Sequence, residues 1–348
     1  MEIKTLLQKT LEMGASDLHI CANSPPLVRV DGEIKPMDFP ALTPEDTRRL
    51  IYSLFTEKQR MEFEENKELD FSIHIPNLSR FRINVHYQKG NVEAAVRVVS
   101  LKIPTCEELG LPPIVKEFAL KSRGLVIITG PTGMGKTTTL ASLIDLINST
   151  KRCVIISIED PIEYVHENKL SVVKQREVRS DTHSFAKALR HVLRQDPDVI
   201  CIGEMRDLES ISIALTAAET GHLVLTTLHT PDAAQTIDRI IDVFPPHQQQ
   251  EVKVQLAGCL EGIVAQLLLP RSDGKGRVLA TEILVATPAV RRVIREHRTD
   301  QIPTLIQTGS QFGMQSMDKS LKELYLKGLI SYQTAITFAR NPEEFKKL

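Results

Sequence analysis

The sequence predicts an α/β fold: a doubly wound parallel sheet with crossover helices, preceded by a smaller α+β domain and followed by a helical region. Three observations carry this expectation. Short apolar runs at 125–128, 154–158, 199–202 and 223–227 have the length of buried parallel strands, and helical patterns lie between them. The first run enters a glycine-rich loop that opens a helix. The first hundred residues instead alternate apolar and polar side chains around hairpin-turn signals. The expected divisions are an N-terminal domain over 1–99, a linker over 100–123, and a main domain over 124–348 that turns helical from about 280.

In the N-terminal domain, a short helix over 3–13 leads to an extended Asp17-Leu18-His19-Ile20. Val28, Val30 and Ile34 then flank Asp31-Gly32, a dipeptide typical of hairpin turns. A helical stretch over 44–64 follows. Phe81, Ile83, Val85 and Tyr87 next alternate with Arg80, Arg82, Asn84 and His86, and Val92, Ala94, Val96 and Val98 alternate on the return from a turn near Gly90-Asn91. Pairing Lys89 with Val92 would set Arg82 and Arg97 diagonally adjacent on the more polar face. Prolines 104, 112 and 113 mark the linker.

The main domain opens at Gly124, and residues 130–137 fit the phosphate-loop pattern G-x-x-x-x-G-K-[ST]. Gly130, Gly133 and Gly135 let backbone N–H groups curl around a phosphate with no Cβ in the way. Pro131, Thr132 and Met134 complete the loop, and the helix starting near Gly135 aims its positive end at the same anion. Lys136 is placed to reach the β- and γ-phosphates, the Thr137 hydroxyl to ligate Mg²⁺, and Thr138 continues the helix. This context implies a nucleoside triphosphate site.

Helical patterns over 182–195 and 208–220 are stopped by Asp196-Pro197 and by Gly221. In a sheet of this kind, ligands bind at the carboxyl ends of the strands. There the run ending in Gly203-Glu204 delivers a carboxylate suited to the Mg²⁺ shell or to orienting a water, and Glu159-Asp160-Pro161-Ile162-Glu163 does the same one strand over. Taken singly, Glu159 and Asp160 read equally well as solvated loop residues or helix caps. His222 and His229 bracket the run 223–227, and from the residues alone each reads as a hydrogen-bonded structural histidine.

A length of 348 residues fits two domains, and a formal net charge of −1 gives no global attraction to nucleic acid or anionic lipid. Five cysteines lie far apart with no C-x-x-C pair, which reads as buried reduced thiols and gives no zinc pattern. No apolar run approaches about 18 residues, and the start Met1-Glu2-Ile3-Lys4 is no secretory leader, so a cytosolic protein is expected, one able to dock on a membrane complex from the cytosolic side.

Four segments resemble the signatures of the secretion and type IV pilus ATPase superfamily. They are GPTGMGKT (130–137), the aspartate box SIEDPIE (157–163), the Walker B region LRQDPDVICIGEMRD (193–207) and the histidine box TGHLVLTTLHT (220–230). The likeness extends to ASDLHI (15–20), RFRINVHY (80–87) and DRIIDVFPPHQQ (238–249), and so covers essentially the whole chain. Within the superfamily the sequence is similar to the PilT-like retraction ATPases. Residues 289–296, AVRRVIRE, resemble their AIRNLIRE signature, with Arg292-Val293 where Asn-Leu is usual, and there is no tetracysteine zinc site of the kind assembly and export ATPases carry. That helix is read with Thr287 as its cap, Val290, Val293 and Ile294 inward, and Arg291, Arg292 and Arg295 outward.

The resemblance implies a RecA-like ATPase domain behind a PAS-like N-terminal domain, in a ring that is usually a homo-hexamer. ATP with Mg²⁺ would sit between subunits and be hydrolysed to retract a type IV pilus through an inner-membrane, PilC-like platform protein. Glu204 and Glu163 would serve catalysis and the Mg²⁺ shell, and His222 and His229 would join them from the histidine box. Arg82 and Arg97 would bring positive charge in trans to the γ-phosphate, and Arg190 and Arg194, spaced i, i+4 before Walker B, are further candidates; all four read equally as salt-bridge residues. A paralogous motor subunit, or a role as accessory retraction motor, also fits, as does a pilus-assembly or type II secretion role; no nucleic acid is expected. The protein would work at the cytoplasmic face of the inner membrane.

Overall fold

The structure, a computed structural model, describes every residue except Met1, Asp31, Asn77, Ser100, Leu101, Arg206 and Leu348, and the side chains of all of these but Glu344, Lys346 and Lys347. Asp31 of the expected first hairpin turn and Arg206 of the Walker B stretch therefore lie outside the described residues. The chain divides into two compact units, Met1–Lys102 and Ile103–Leu348.

The first unit is a six-stranded antiparallel sheet in the order β3-β2-β1-β6-β5-β4, formed by β1 (Asp17–Ile20), β2 (Leu27–Val30), β3 (Glu33–Pro36), β4 (Glu68–Ile75), β5 (Ser79–Gln88) and β6 (Asn91–Val99). The alternation on β5 buries Phe81, Ile83 and Val85 against Leu6, Leu7, Leu50, Ile51 and Phe63 of three helices. The stretch read as one helix over 44–64 is two, Pro44–Tyr52 and Glu57–Asn66, because Thr43 with Asp46 and Thr56 with Gln59 each form a capping box. The turn between β5 and β6 is Lys89-Gly90, with φ of 50° and 82°, the left-handed pair of a two-residue hairpin. Gln88 therefore pairs with Asn91, and Arg82 stands directly opposite Arg97 rather than diagonal to it. Asp17 on the next strand relieves that like-charge contact, 2.9 Å from Arg97 Nε.

The second unit holds a seven-stranded sheet in the order β13-β12-β7-β11-β10-β8-β9. Its strands are β7 (Gly124–Thr129), β8 (Val154–Glu159), β9 (Val172–Glu177), β10 (Val199–Ile202), β11 (Leu223–Thr227), β12 (Leu260–Pro270) and β13 (Arg277–Val285). All neighbours are parallel except the β12–β13 pair. Every residue of β7, β10 and β11 is buried, because helices cover both faces. Leu125, Ile127, Ile156, Ile200 and Val224 pack on one side against helices Phe185–Val192, Leu208–Glu219, Ala233–Asp242 and Pro246–Cys259. Val126, Ile128, Ile155, Cys201 and Leu225 pack on the other against Lys136–Thr150 and Pro113–Ala119.

Two divisions differ from the sequence expectation. Residues from 103 onward, read as linker, belong to the second unit, since Cys106, Leu111, Val115, Phe118 and Ala119 are buried in its core. The C-terminal region is not helical from about 280: the long hairpin β12–β13 runs to Val285, and helices begin at Pro288. The C-terminal helices then pack Met317, Leu321 and Ala335, with Ile330 between them, on Leu269 and Ala280 of that hairpin.

Candidate active site

The strand order sets the site. β7 and β8 are consecutive in the chain yet separated in the sheet by β11 and β10, so the carboxyl ends of all four open onto one edge. The phosphate loop leaves β7 there. Gly130 has φ of 142°, and a Cβ on it would lie 2.5 Å from the Gln266 carbonyl oxygen of β12, so only glycine lets the loop turn beside that strand. The loop is braced from the same hairpin: Leu268 N–H donates to Met134 Sδ at 3.2 Å, and Arg277 Nη1 donates to the Gly133 carbonyl at 3.3 Å. Behind it, Gln266 Nε2 donates to Thr139 Oγ1 at 2.8 Å.

Lys136, buried at the start of the helix Lys136–Thr150, has its ammonium folded onto the loop. It donates to the carbonyls of Gly130 (2.7 Å) and Pro131 (2.9 Å) and lies 3.2 Å from His229 Nδ1. Burial holds its pKa below the usual lysine range, while the charges of Glu204 and Glu163 pull it back up. His229 Nε2 lies 2.8 Å from Glu204 Oε1. The chain Lys136–His229–Glu204 is satisfied by one tautomer, with the imidazole proton on Nε2 facing the carboxylate and Nδ1 accepting from the ammonium.

Each member arrives on rigid backbone. Gly203, just after β10, donates its N–H to the Ile158 carbonyl at 2.9 Å, and its own carbonyl accepts from Thr227 Oγ1 at 2.5 Å, which fixes where Glu204 starts. His229 follows β11, where Leu228 N–H reaches the Ile128 carbonyl at 3.0 Å.

The aspartate box divides its carboxylates by environment. Burial pushes the Glu159 carboxyl above the usual range; hydrogen bonds from Ser157 and Gln175 pull it down, and the charge of Glu163 adds to the rise. Glu159 is thus consumed internally, accepting from Ser157 Oγ and, at 3.0 Å, from Gln175 Nε2. Glu163 is exposed, and its charge reaches Lys136. The loop between them contains a cis Asp160-Pro161 bond and is held by buried Glu177, which accepts from the Ile162 N–H at 3.1 Å. Tyr164 OH meets Thr138 Oγ1 at 3.0 Å, tying the box to the phosphate-loop helix.

Gly130 to Thr138, Glu204, His229 and Glu163 are therefore brought to one edge. His222 is not among them. It precedes β11, at the opposite end of the sheet, where its Nδ1 lies 3.0 Å from the Ala217 carbonyl and 3.3 Å from Thr220 Oγ1, closing the helix Leu208–Glu219. Arg190 is exposed and paired with Glu209 of the next helix. Arg194 does not share a helix face with it, because that helix ends at Val192. Arg82 and Arg97 belong to the first unit; Arg97 is paired with Asp17, and Arg82 is exposed with no ion pair among the described residues. Gln266, Tyr164, Gln175 and Glu177 were not legible as site residues, since each acts through a partner distant in sequence.

The donor set fits Mg²⁺ held through substrate phosphates and water. Thr137 stands on the first turn of the loop helix with no hydrogen-bond partner for its hydroxyl among the described residues, and among these no group of three or more His, Cys, Asp or Glu side chains could hold a metal alone.

Comparison with known proteins shows the family. The "Type IV pilus retractation ATPase PilT" of Pseudomonas aeruginosa is 49% identical over 345 residues, 99% of this chain and 100% of that protein. The "Type IV pilus ATPase PilU" of the same organism is 43% identical over 346 residues, 99% of this chain and 91% of that one. A crystal structure of the pilus retraction motor PilT with bound ADP superposes with a TM-score of 0.94 at 50% identity, covering 100% of both chains. The model of the type II/IV secretion system protein family matches residues 2–334. With its phosphate loop, aspartate box, Walker B carboxylate and His229 at one sheet edge, the chain belongs to the type II/IV secretion system protein family and within it is PilT-like.

Proposed function

We propose that the protein is an ATP-hydrolysing motor that retracts type IV pili, working as a homo-hexameric ring at the cytoplasmic face of the inner membrane against a platform protein. The observation that carries the hydrolytic part is the contact series Lys136–His229–Glu204 across the phosphate loop. Lys136 spends its donors on two loop carbonyls and on His229. A triphosphate offers that ammonium stronger, charged acceptors, so binding draws Lys136 off the loop and loosens its hold on His229. Glu204, steadied by His229, is then placed to accept a hydrogen bond from the attacking water and orient it in line with the γ-phosphorus. Thr137 would hold Mg²⁺ directly, and Glu204 or Glu163 through water, and the ion would supply charge neutralisation for the phosphates.

Arg82 is the arginine best suited to act on a neighbouring subunit's nucleotide, because Arg97 is engaged by Asp17 and Arg190 by Glu209. Among the described residues no helix is long and apolar enough to cross a membrane, so attachment to the membrane in this reading runs through a partner protein. The similarity to both PilT and PilU leaves a main or an accessory retraction role within the same proposal.

Phosphate release per subunit as a function of protein concentration tests the ring. Specific activity that rises with concentration and collapses in Arg82→Ala supports a site completed by a neighbour. Flat activity with an unaffected variant refutes it. In cells, deletion should leave surface pili present and unretracted; loss of pili would refute retraction in favour of assembly.

A further inference from the structure

Glu282 of β13 is buried, and its carboxylate has two ties: Oε1 accepts from the Ala233 N–H at 3.0 Å, and Oε2 lies 3.2 Å from Arg340 Nη1. The other terminal nitrogen of Arg340 lies 3.0 Å from Asp232 Oδ2, itself buried. Burial raises the pKa of Glu282 above the usual carboxylate range, with the Ala233 N–H and then Arg340 opposing the rise. The charge of Asp232 adds to the rise at Glu282, so the guanidinium of Arg340 bridges two like charges that disfavour each other.

Both ends of this contact matter. Asp232 caps the helix Ala233–Asp242 and follows His229 by three residues. Its carbonyl accepts from Thr236 Oγ1 at 2.6 Å, Thr236 Oγ1 meets Thr230 Oγ1 at 2.6 Å, and the Thr230 carbonyl accepts from Thr129 Oγ1 at 2.7 Å, at the last residue before Gly130. On the other side, Asp318 of the helix Met317–Leu326 accepts from the N–H groups of Arg340 (2.8 Å) and Asn341 (3.0 Å). Arg340 therefore joins the C-terminal helices to the turn between His229 and its following helix.

We propose that Arg340 is a positioning residue for the nucleotide site: its guanidinium holds Asp232 and Glu282 together and so fixes the turn that presents His229 to Glu204. Without it the two carboxylates repel, the turn loosens, and the His229–Glu204 contact loses its alignment. This inference rests on the ATP-hydrolysing reading above. It further makes the C-terminal helices a lever on that site, since anything that shifts the Arg340 segment shifts the turn.

The test compares ATP hydrolysis by the parent, Arg340→Ala and the double variant Arg340→Ala/Glu282→Gln, with amide hydrogen exchange of residues 228–235 measured without nucleotide. Gln at 282 keeps an oxygen for the Ala233 N–H and removes the unpaired charge. Arg340→Ala should lower kcat about ten-fold with KM within about two-fold, and quicken exchange of the turn. The double variant should recover kcat to within about three-fold of the parent and restore protection, which loss of mere packing would not allow. A single variant with parental kcat and exchange overturns the proposal, as does a double variant as slow and as unprotected as the single. If the single variant does not fold, a folded and active double supports the role and an equally unfolded one refutes it. A parent that binds ATP without hydrolysing it refutes the function proposed above instead, and exchange alone then decides for Arg340.

Discussion

His229 Nε2 lies 2.8 Å from Glu204 Oε1, and this contact joins the end of β11 to the end of β10 across the mouth of the phosphate loop. A carboxylate that must orient a water gains from being held in one rotamer, and the imidazole supplies that hold while its other nitrogen faces Lys136. His229→Ala should therefore lower kcat by about ten- to a hundred-fold with nucleotide affinity within a few-fold. His229→Asn, which can still donate to Glu204, should fall less. Steady-state kinetics with a separate binding titration checks both; an Ala variant with parental kcat would make the contact incidental.

Arg291 is expected to matter for stability rather than for an exposed docking face. Its guanidinium donates to the carbonyls of Ala257 (2.7 Å), Gly258 (2.7 Å) and Ala286 (3.0 Å) and to Glu261 at 3.1 Å. It thus satisfies the C-terminal carbonyls of the helix Pro246–Cys259 and neutralises Glu261. Arg291→Ala should cost about 2–3 kcal/mol of unfolding free energy, whereas Arg292→Ala, whose one ion pair among the described residues is with Glu296 on the exposed face, should unfold like the parent. Denaturant unfolding of both variants decides between them.

His166 sets an acid limit on the second unit. Burial lowers its pKa from 6.5 to about 4, and its Nδ1 has no hydrogen-bond partner among the described residues. Between those values the unfolded chain carries a proton that the folded chain refuses, so stability falls as pH drops through that window, by about 3 kcal/mol at full extent. Unfolding free energies for parent and His166→Gln, compared from pH about 7 down to about 4, should show a shallower acid slope in the variant. Parallel slopes would assign the acid sensitivity elsewhere.

Much of this is legible in the sequence alone. The glycine spacing at 130–135 and the apolar runs around it fixed the loop between a strand and a helix, and the carboxylates at 163 and 204 fell where strand ends had to be. What escaped depended on partners far along the chain. Strand β12 borders β7 in parallel across more than a hundred residues, and nothing local in 260–270 distinguishes that pairing from a buried helix. Arg291 has the outward phase expected of a basic helix face, yet its length carries the guanidinium back to carbonyls at 257 and 258. His222 and His229 look equivalent as brackets of one strand. Only the parallel direction of β11 beside β7 puts one at the phosphate loop and the other at the far edge. The Lys89-Gly90 turn moved a register by one step, which is enough to set Arg82 squarely against Arg97.

The most direct test of the central claim is Mg²⁺-dependent ATP hydrolysis by the parent and Glu204→Gln, with ATP binding measured on the same samples. The site described here predicts a parent that hydrolyses ATP and a variant that binds it with similar affinity while kcat falls about a hundred- to a thousand-fold. A variant that turns over as fast as the parent would contradict the assignment of Glu204 and, with it, the chemistry built on the Lys136–His229–Glu204 contact.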